Sequence, residues 1–239
     1  MTSTDTMTRL ETVTVPVPAR ELKRALDAVL PHAGTDDDLP SLQCVSFDAS
    51  GGWLFLATTD RYSMAVARCK LPDRTAELAQ VLLPGDAAAM LRRILKGSPR
   101  DAAVSLAFGD GEIRASAGDV SACWKAVDAK FPEWRPMIGK FLASETAHFG
   151  PNGVSASLLA RLTDASAPGE VLGMRVTLGS SRTIAGKTRP SPVLLATRGE
   201  WFIAALMPAR LADDDQDATP ALAGWAALAA PAEAVSASA

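Results

Sequence analysis

The sequence predicts an α+β fold made of repeated β-α-β-β-β half-units, with the helices on one face of antiparallel sheets. Three observations carry that reading. An apolar helical stripe at Leu22, Ala25, Leu26, Val29 and Leu30 returns at Ala87, Met90, Leu91, Ile94 and Leu95, and in part at Leu158, Leu159 and Leu162. Each stripe is preceded by a short extended segment and followed by three strand-like runs. The composition, 48% hydrophobic and 21% charged over 239 residues, is that of a chain with a packed core.

The elements follow in order. T-V-T-V-P-V leads into the first helix, where Pro18 suits a first helical position, and strands are expected near 43–49, 53–59 and 63–71. A-Q-V-L-L-P leads into the second helix, with Asp86 as its expected N-cap. Strands near 102–109, 112–118 and 121–129 come next, with a hairpin turn at Gly109, Asp110 and Gly111. E-T-A-H-F-G and an expected N-cap at Asn152 open the third unit, whose strands are placed near 171–179, 193–198 and 201–211. One half-unit cannot bury its own stripe, but two side by side can. The expected organisation is a flexible 1–10, a two-unit domain over 11–142, a partial domain over 143–211, and a disordered Ala-rich acidic tail over 212–239.

Charge and composition narrow the chemistry. The net charge of -3 is set by the tail: from Ala212 on there are five acidic residues and no Lys or Arg, leaving 22 acidic against 24 basic residues in the body. The first and second helices carry Arg20, Lys23 and Arg24, then Arg92, Arg93 and Lys96, on their polar faces, while the third offers Arg161. Such faces suit phosphate contacts without base readout. No apolar run is long enough for a bilayer span and no secretory leader precedes the body, so a cytoplasmic protein without a membrane partner is expected.

Catalytic machinery has little material. Cys44, Cys69 and Cys123 lack metal-ligand or disulfide spacing and read as small buried hydrophobes, and His32 and His148 stand far apart. The string S-R-T-I-A-G-K-T at 181–188 is one residue from a phosphate-binding loop, but Pro190 and Pro192 follow where that loop would need a helix, so a basic hairpin loop is expected. No catalytic residue, metal site or cofactor is expected.

Three strings resemble the beta sliding clamp of bacterial DNA polymerase III. L-P-S-L-Q-C-V-S-F with A-T-T-D-R-Y-S-M-A-V is similar to the clamp's P-x-L-x-G-V and A-T-D-x-[YHF]-R-L-A. F-P-E-W-R-P-M-I, from Phe131, resembles the clamp's F-P-D-[YW]-x-x-[VL]-I-P, and L-M-P-A-R-L, from Leu206, resembles its C-terminal M-P-M-R-L. The resemblance implies a DNA-clamp-like fold, sequence-independent binding of duplex DNA through inward helices, and no enzymatic activity. It also implies DNA polymerase or repair partners held through short apolar peptides, with a clamp loader as a further partner. Carried over, the peptide pocket takes Thr59, Tyr62 and Met64 with Met207, Pro208 and Arg210, and Leu83 and Pro84 as a wall. Ser63 and Ala209 depart from the clamp's Arg and second Met, which points to a shallower pocket or another peptide. Three half-units per chain imply that a ring closes only as a homo-oligomer. The alternative is an adaptor or competitor that keeps the pocket without encircling DNA.

Overall fold

The structure is a computed structural model that describes residues 12–72, 76–99, 102–146, 152–166, 170–184 and 187–210. In chain order the elements are β1 (Val13–Pro18), α1 (Ala19–Val29), β2 (Cys44–Ser50), β3 (Trp53–Thr59), β4 (Ser63–Lys70), β5 (Leu78–Pro84) and α2 (Gly85–Gly97). There follow β6 (Ala103–Gly109), β7 (Glu112–Ala117), β8 (Val120–Lys125), α3 (Trp134–Ala143), β9 (Asn152–Gly153), α4 (Ala156–Ala160), β10 (Gly173–Ile184), β11 (Lys187–Arg198), β12 (Phe202–Leu206) and β13 (Ala209–Arg210). Single 3₁₀ turns lie at Leu30–His32 and Thr163–Ala165.

The repeated half-unit is present, and its strands sort into two main sheets. One is four-stranded, β1-β6-β7-β8, and the other seven-stranded, β10-β11-β12-β4-β3-β2-β5. Every pairing in them is antiparallel. β1 stands at a sheet edge, which is why it tolerates Pro16 and Pro18, neither of which can donate to a ladder. The hairpin between β6 and β7 turns at Asp110 (φ 53°) and Gly111 (φ 72°), the left-handed pair that a two-residue turn requires. The third unit does not build a separate sheet: β12 pairs with β4, from Phe202 opposite Ala67 to Leu206 opposite Ser63.

The seven-stranded sheet separates two cores. Its helix side buries Leu22, Leu26, Val29, Leu91 and Leu95 against Phe47, Leu54, Leu56 and Leu206, joined by Val15, Leu106 and Ile113 of the smaller sheet. Its other side packs Phe131, Trp134, Ile138 and Phe141 of α3 and its approach with Met64, Val66, Val193, Leu195 and Ala205. At the start of α2 a side chain on Gly85 would meet the Gln43 carbonyl at 2.5 Å, so glycine lets the helix enter close under β2.

Local details differ from the sequence expectation. Pro18 ends β1 and caps α1, and Pro84 precedes α2, with Asp86 already inside its first turn accepting the Ala87 amide at 2.7 Å. Asn152 lies in β9, and Ser155 precedes α4, a short helix that buries Leu158 and leaves Leu159 exposed, with Leu162 buried just after it. Helix α3 was not anticipated as a helix. Cys44 and Cys69 are buried as expected, but Cys123 is exposed because it faces outward from the edge strand β8. Within the string at 181–188, Thr183 pairs opposite Thr188 and Ile184 opposite Lys187 as strand and not helix, while 185–186 lie outside the described residues. His148 and the segment 212–239 lie outside the described residues.

Candidate nucleic-acid and peptide interfaces

Helices α1 and α2 pack against each other on the same side of the seven-stranded sheet, so their polar faces form one surface. Burial of Ala19, Leu22, Ala25 and Leu26 in α1, and of Ala87, Ala88, Leu91 and Leu95 in α2, turns the basic residues outward. Arg20, Arg24, Arg93 and Lys96 are exposed. Lys23 and Arg92 are half-buried and share one carboxylate, Asp27, at 2.5 Å and 3.7 Å. Arg24 lies over the Trp201 ring, 4.2 Å from its centroid. Arg20, Arg93 and Lys96 have no ion-pair partner among the described residues.

Arg161 is not part of that surface. Its Nη1 donates to Asp60 Oδ2 at 2.6 Å and to Ser63 Oγ at 2.7 Å, tying the third unit to the turn between β3 and β4. A guanidinium thus reaches Ser63, the position where the clamp motif carries its own Arg.

That turn holds the candidate peptide edge. The Asp60 carboxylate accepts the amides of Tyr62 at 2.9 Å and Ser63 at 2.7 Å, and Arg61 is held at φ 80°, an unusual conformation for a side chain-bearing residue. Burial favours the neutral acid at Asp60, but the hydrogen bonds from Arg161 and the two amides outweigh it and hold its pKa below the ordinary carboxylate value. Tyr62 is consequently turned out to solvent, 61% exposed. The Met207 amide donates to the Tyr62 carbonyl at 2.8 Å, which brings the C-terminal string against the turn and leaves the Met207 side chain 39% exposed.

The remaining pocket residues divide. Met64 and Thr59 are buried, Met64 in the α3-side core and Thr59 through its hydroxyl bonds with the Ser63 carbonyl and the Arg61 amide. Pro208 is half-buried beside Met207, and the backbone of Arg210 pairs with Asn152. Leu83 does not form a wall: it is fully buried in the opposite, helix-side core, because it points to the other face of β5. Pro84 is three strands from β4, about 14 Å at ordinary strand spacing, and does not reach Tyr62 or Met207. Among the described residues no group of three or more His, Cys, Asp or Glu is placed to hold a metal, and no helix is long and apolar enough to cross a membrane.

Residues 16–133 match the model of the DNA polymerase III beta subunit, central domain. The structure resembles the crystal structure of a DNA polymerase sliding clamp from Pseudomonas aeruginosa, with a TM-score of 0.61 at 16% identity over 83% of this chain and 67% of that one. The fold is that of a beta-sliding-clamp-like chain. The DNA polymerase III beta subunit of Thermotoga maritima gives a TM-score of 0.61 at 14% identity, over 89% of this chain and 70% of its own. In sequence, the beta sliding clamp of Escherichia coli K12 is 28% identical over 125 residues, 52% of this chain and 33% of the relative. The chain therefore matches about a third of the length of its curated relatives, and the clamp-like protein joins the third half-unit directly to the sheet of the first.

Proposed function

We propose that this protein is a non-enzymatic, clamp-like replication accessory that lies on duplex DNA through α1 and α2 and tethers polymerase or repair proteins through short apolar peptides. The observation that carries the reading is the shared outer surface of α1 and α2, where Arg20, Arg93 and Lys96 stand exposed, and unpaired among the described residues, beside Arg24, Lys23 and Arg92. Cations presented by helices, without a base-reading element, bind phosphates and not sequence. The peptide edge is Tyr62 with Met207 and Pro208, a smaller surface than the sequence suggested, since Leu83 and Pro84 fall away from it. Arg92→Ala combined with Arg93→Ala lowers affinity for random duplex, read by fluorescence anisotropy at fixed salt. Unchanged affinity in a folded double variant removes α2 from the DNA surface.

One observation favours a second reading. Asp27 sits between Lys23 and Arg92 and neutralises part of the surface, as suits an adaptor that keeps the peptide edge and does not encircle DNA. An Asp27→Asn variant discriminates: a DNA-binding surface gains affinity, and an adaptor shows no saturable duplex binding before or after the change.

A further inference from the structure

A cleft of about 520 Å³ opens where α1, the end of α2, the 3₁₀ turn at Thr163–Ala165 and the turn joining β11 to β12 meet. That size falls within the range of small-molecule sites, about 300–1,000 Å³. Its wall carries five cations, Arg20, Lys23, Arg24, Lys96 and Arg198, against the carboxylates of Asp27, Asp164 and Glu170, and one indole, Trp201. Two of the carboxylates are already engaged, Asp27 with Lys23 and Glu170 with Arg198. Arg20 and Lys96 remain unpaired among the described residues, and Arg198 Nη1 is buried with no hydrogen-bond acceptor. A buried guanidinium N–H without an acceptor is costly, and an anion supplied from outside removes the cost.

The second feature is planar. Arg24 lies 4.2 Å from the centroid of Trp201, so the cleft has a guanidinium and an indole stacked along its side. Nucleic-acid bases stack on both kinds of plane. The α1–α2 surface ends at this cleft, since Arg20 and Lys96 belong to both.

We infer that the cleft binds one nucleotide, its phosphate held by Arg20, Lys96 and Arg198 and its base against the Arg24–Trp201 stack. The inference rests on the DNA-facing reading of α1 and extends it from the duplex backbone to an unpaired nucleotide. Two sources carry that chemistry, a nucleotide of a single strand and a free mononucleotide.

The test uses the full chain and fluorescein-labelled oligonucleotides: a thymidine 12-mer, the same length of abasic strand, and a random duplex, with unlabelled thymidine monophosphate as competitor. The thymidine strand binds saturably and roughly tenfold tighter than the abasic strand, the size expected for one stacked base. Trp201→Ala weakens the thymidine strand by a similar factor, and Arg198→Gln flattens its log-log salt slope by about 0.7. Both variants leave duplex affinity within about twofold, whereas the Arg92 and Arg93 changes act on the duplex, so the two readings fail separately. Competition by the monophosphate at the strand's own affinity assigns the site to free nucleotides, and weaker competition assigns it to strands. Equal binding of abasic and thymidine strands by the unmodified protein overturns the inference without recourse to any variant.

Discussion

Asp60 joins two stretches of chain 101 residues apart, since the same carboxylate that shapes the Tyr62 turn also receives Arg161. The pair is mostly shielded, so Arg161→Ala leaves a carboxylate without its cation and lowers stability by about 2 kcal/mol in urea unfolding, less than for a fully buried pair. Duplex affinity stays unchanged in that variant, which separates the role of Arg161 from that of Arg93. His32 lies fully buried near the same pair, with neither ring nitrogen forming a full hydrogen bond, and burial, aided by the Arg161 charge, lowers its pKa to about 4. The unfolded chain takes up that proton near the ordinary value of 6.5 and the folded chain does not until about 4. Stability from His32 is therefore complete above the ordinary value and falls as pH drops through that window, by about 3 kcal/mol at most. Urea midpoints near pH 7 and near pH 5 check it, and a His32→Gln variant loses this part of the slope. Asp60 acts lower: its depressed pKa contributes stability that is lost only below the ordinary carboxylate range.

Helix α3 is the element on which the chain's second core depends. It crosses the outer face of the large sheet, with Trp134 Nε1 donating to Asp48 at 3.2 Å at one end and the Leu142 carbonyl accepting Arg175 at 3.3 Å at the other. Beneath it Thr59, Met64, Ala205, Leu195 and Arg175 stand opposite one another across five strands. Phe141→Ala removes a buried ring from this layer and costs about 3–4 kcal/mol in urea unfolding. The helix was legible in principle, since Trp134, Ile138 and Phe141 have helical spacing, but Pro136 and Gly139 interrupt the residue types that signal one. The stripes of α1 and α2 were legible because an eleven-residue and a thirteen-residue helix carry most of each, although Leu30 falls in the 3₁₀ turn after α1 and Met90 is exposed on α2, whereas α4 is a short helix and shows only fragments. Strand runs of the first two units were read to within a residue or two except that β8 stops at Lys125, whereas in the third unit β10 runs on to Ile184, β11 begins at Lys187 and β12 stops at Leu206. Pocket membership was less legible: Leu82 and Leu83 are neighbours in one apolar run, and only the sheet's register decides that Leu82 faces α3 and Leu83 faces the helices. The Arg161–Asp60 contact left no trace in local sequence at all.

At the scale of the molecule, three half-units give one smaller sheet ended by β1 and β8 and one larger sheet ended by β5 and β10. Among the described residues, β8 has no ladder partner on its outer side and β10 has only the isolated bridge from Thr177 to Thr146, and such edges recruit further strands. The proposed ring requires self-association, so native mass spectrometry is expected to record species heavier than one chain, and a purely monomeric spectrum at micromolar concentration would count against a closed ring. The seven-stranded sheet keeps α1 and α2 side by side and their cations in one layer, and that placement is what the proposed function needs. The most direct measurement is the salt dependence of binding to two unrelated duplex sequences by the unmodified chain. Three to four phosphate contacts, roughly the number of exposed cations on α1 and α2, predict a log-log slope of about -3 and equal affinities for both sequences. A slope near zero, or a strong preference for one sequence, would contradict the account.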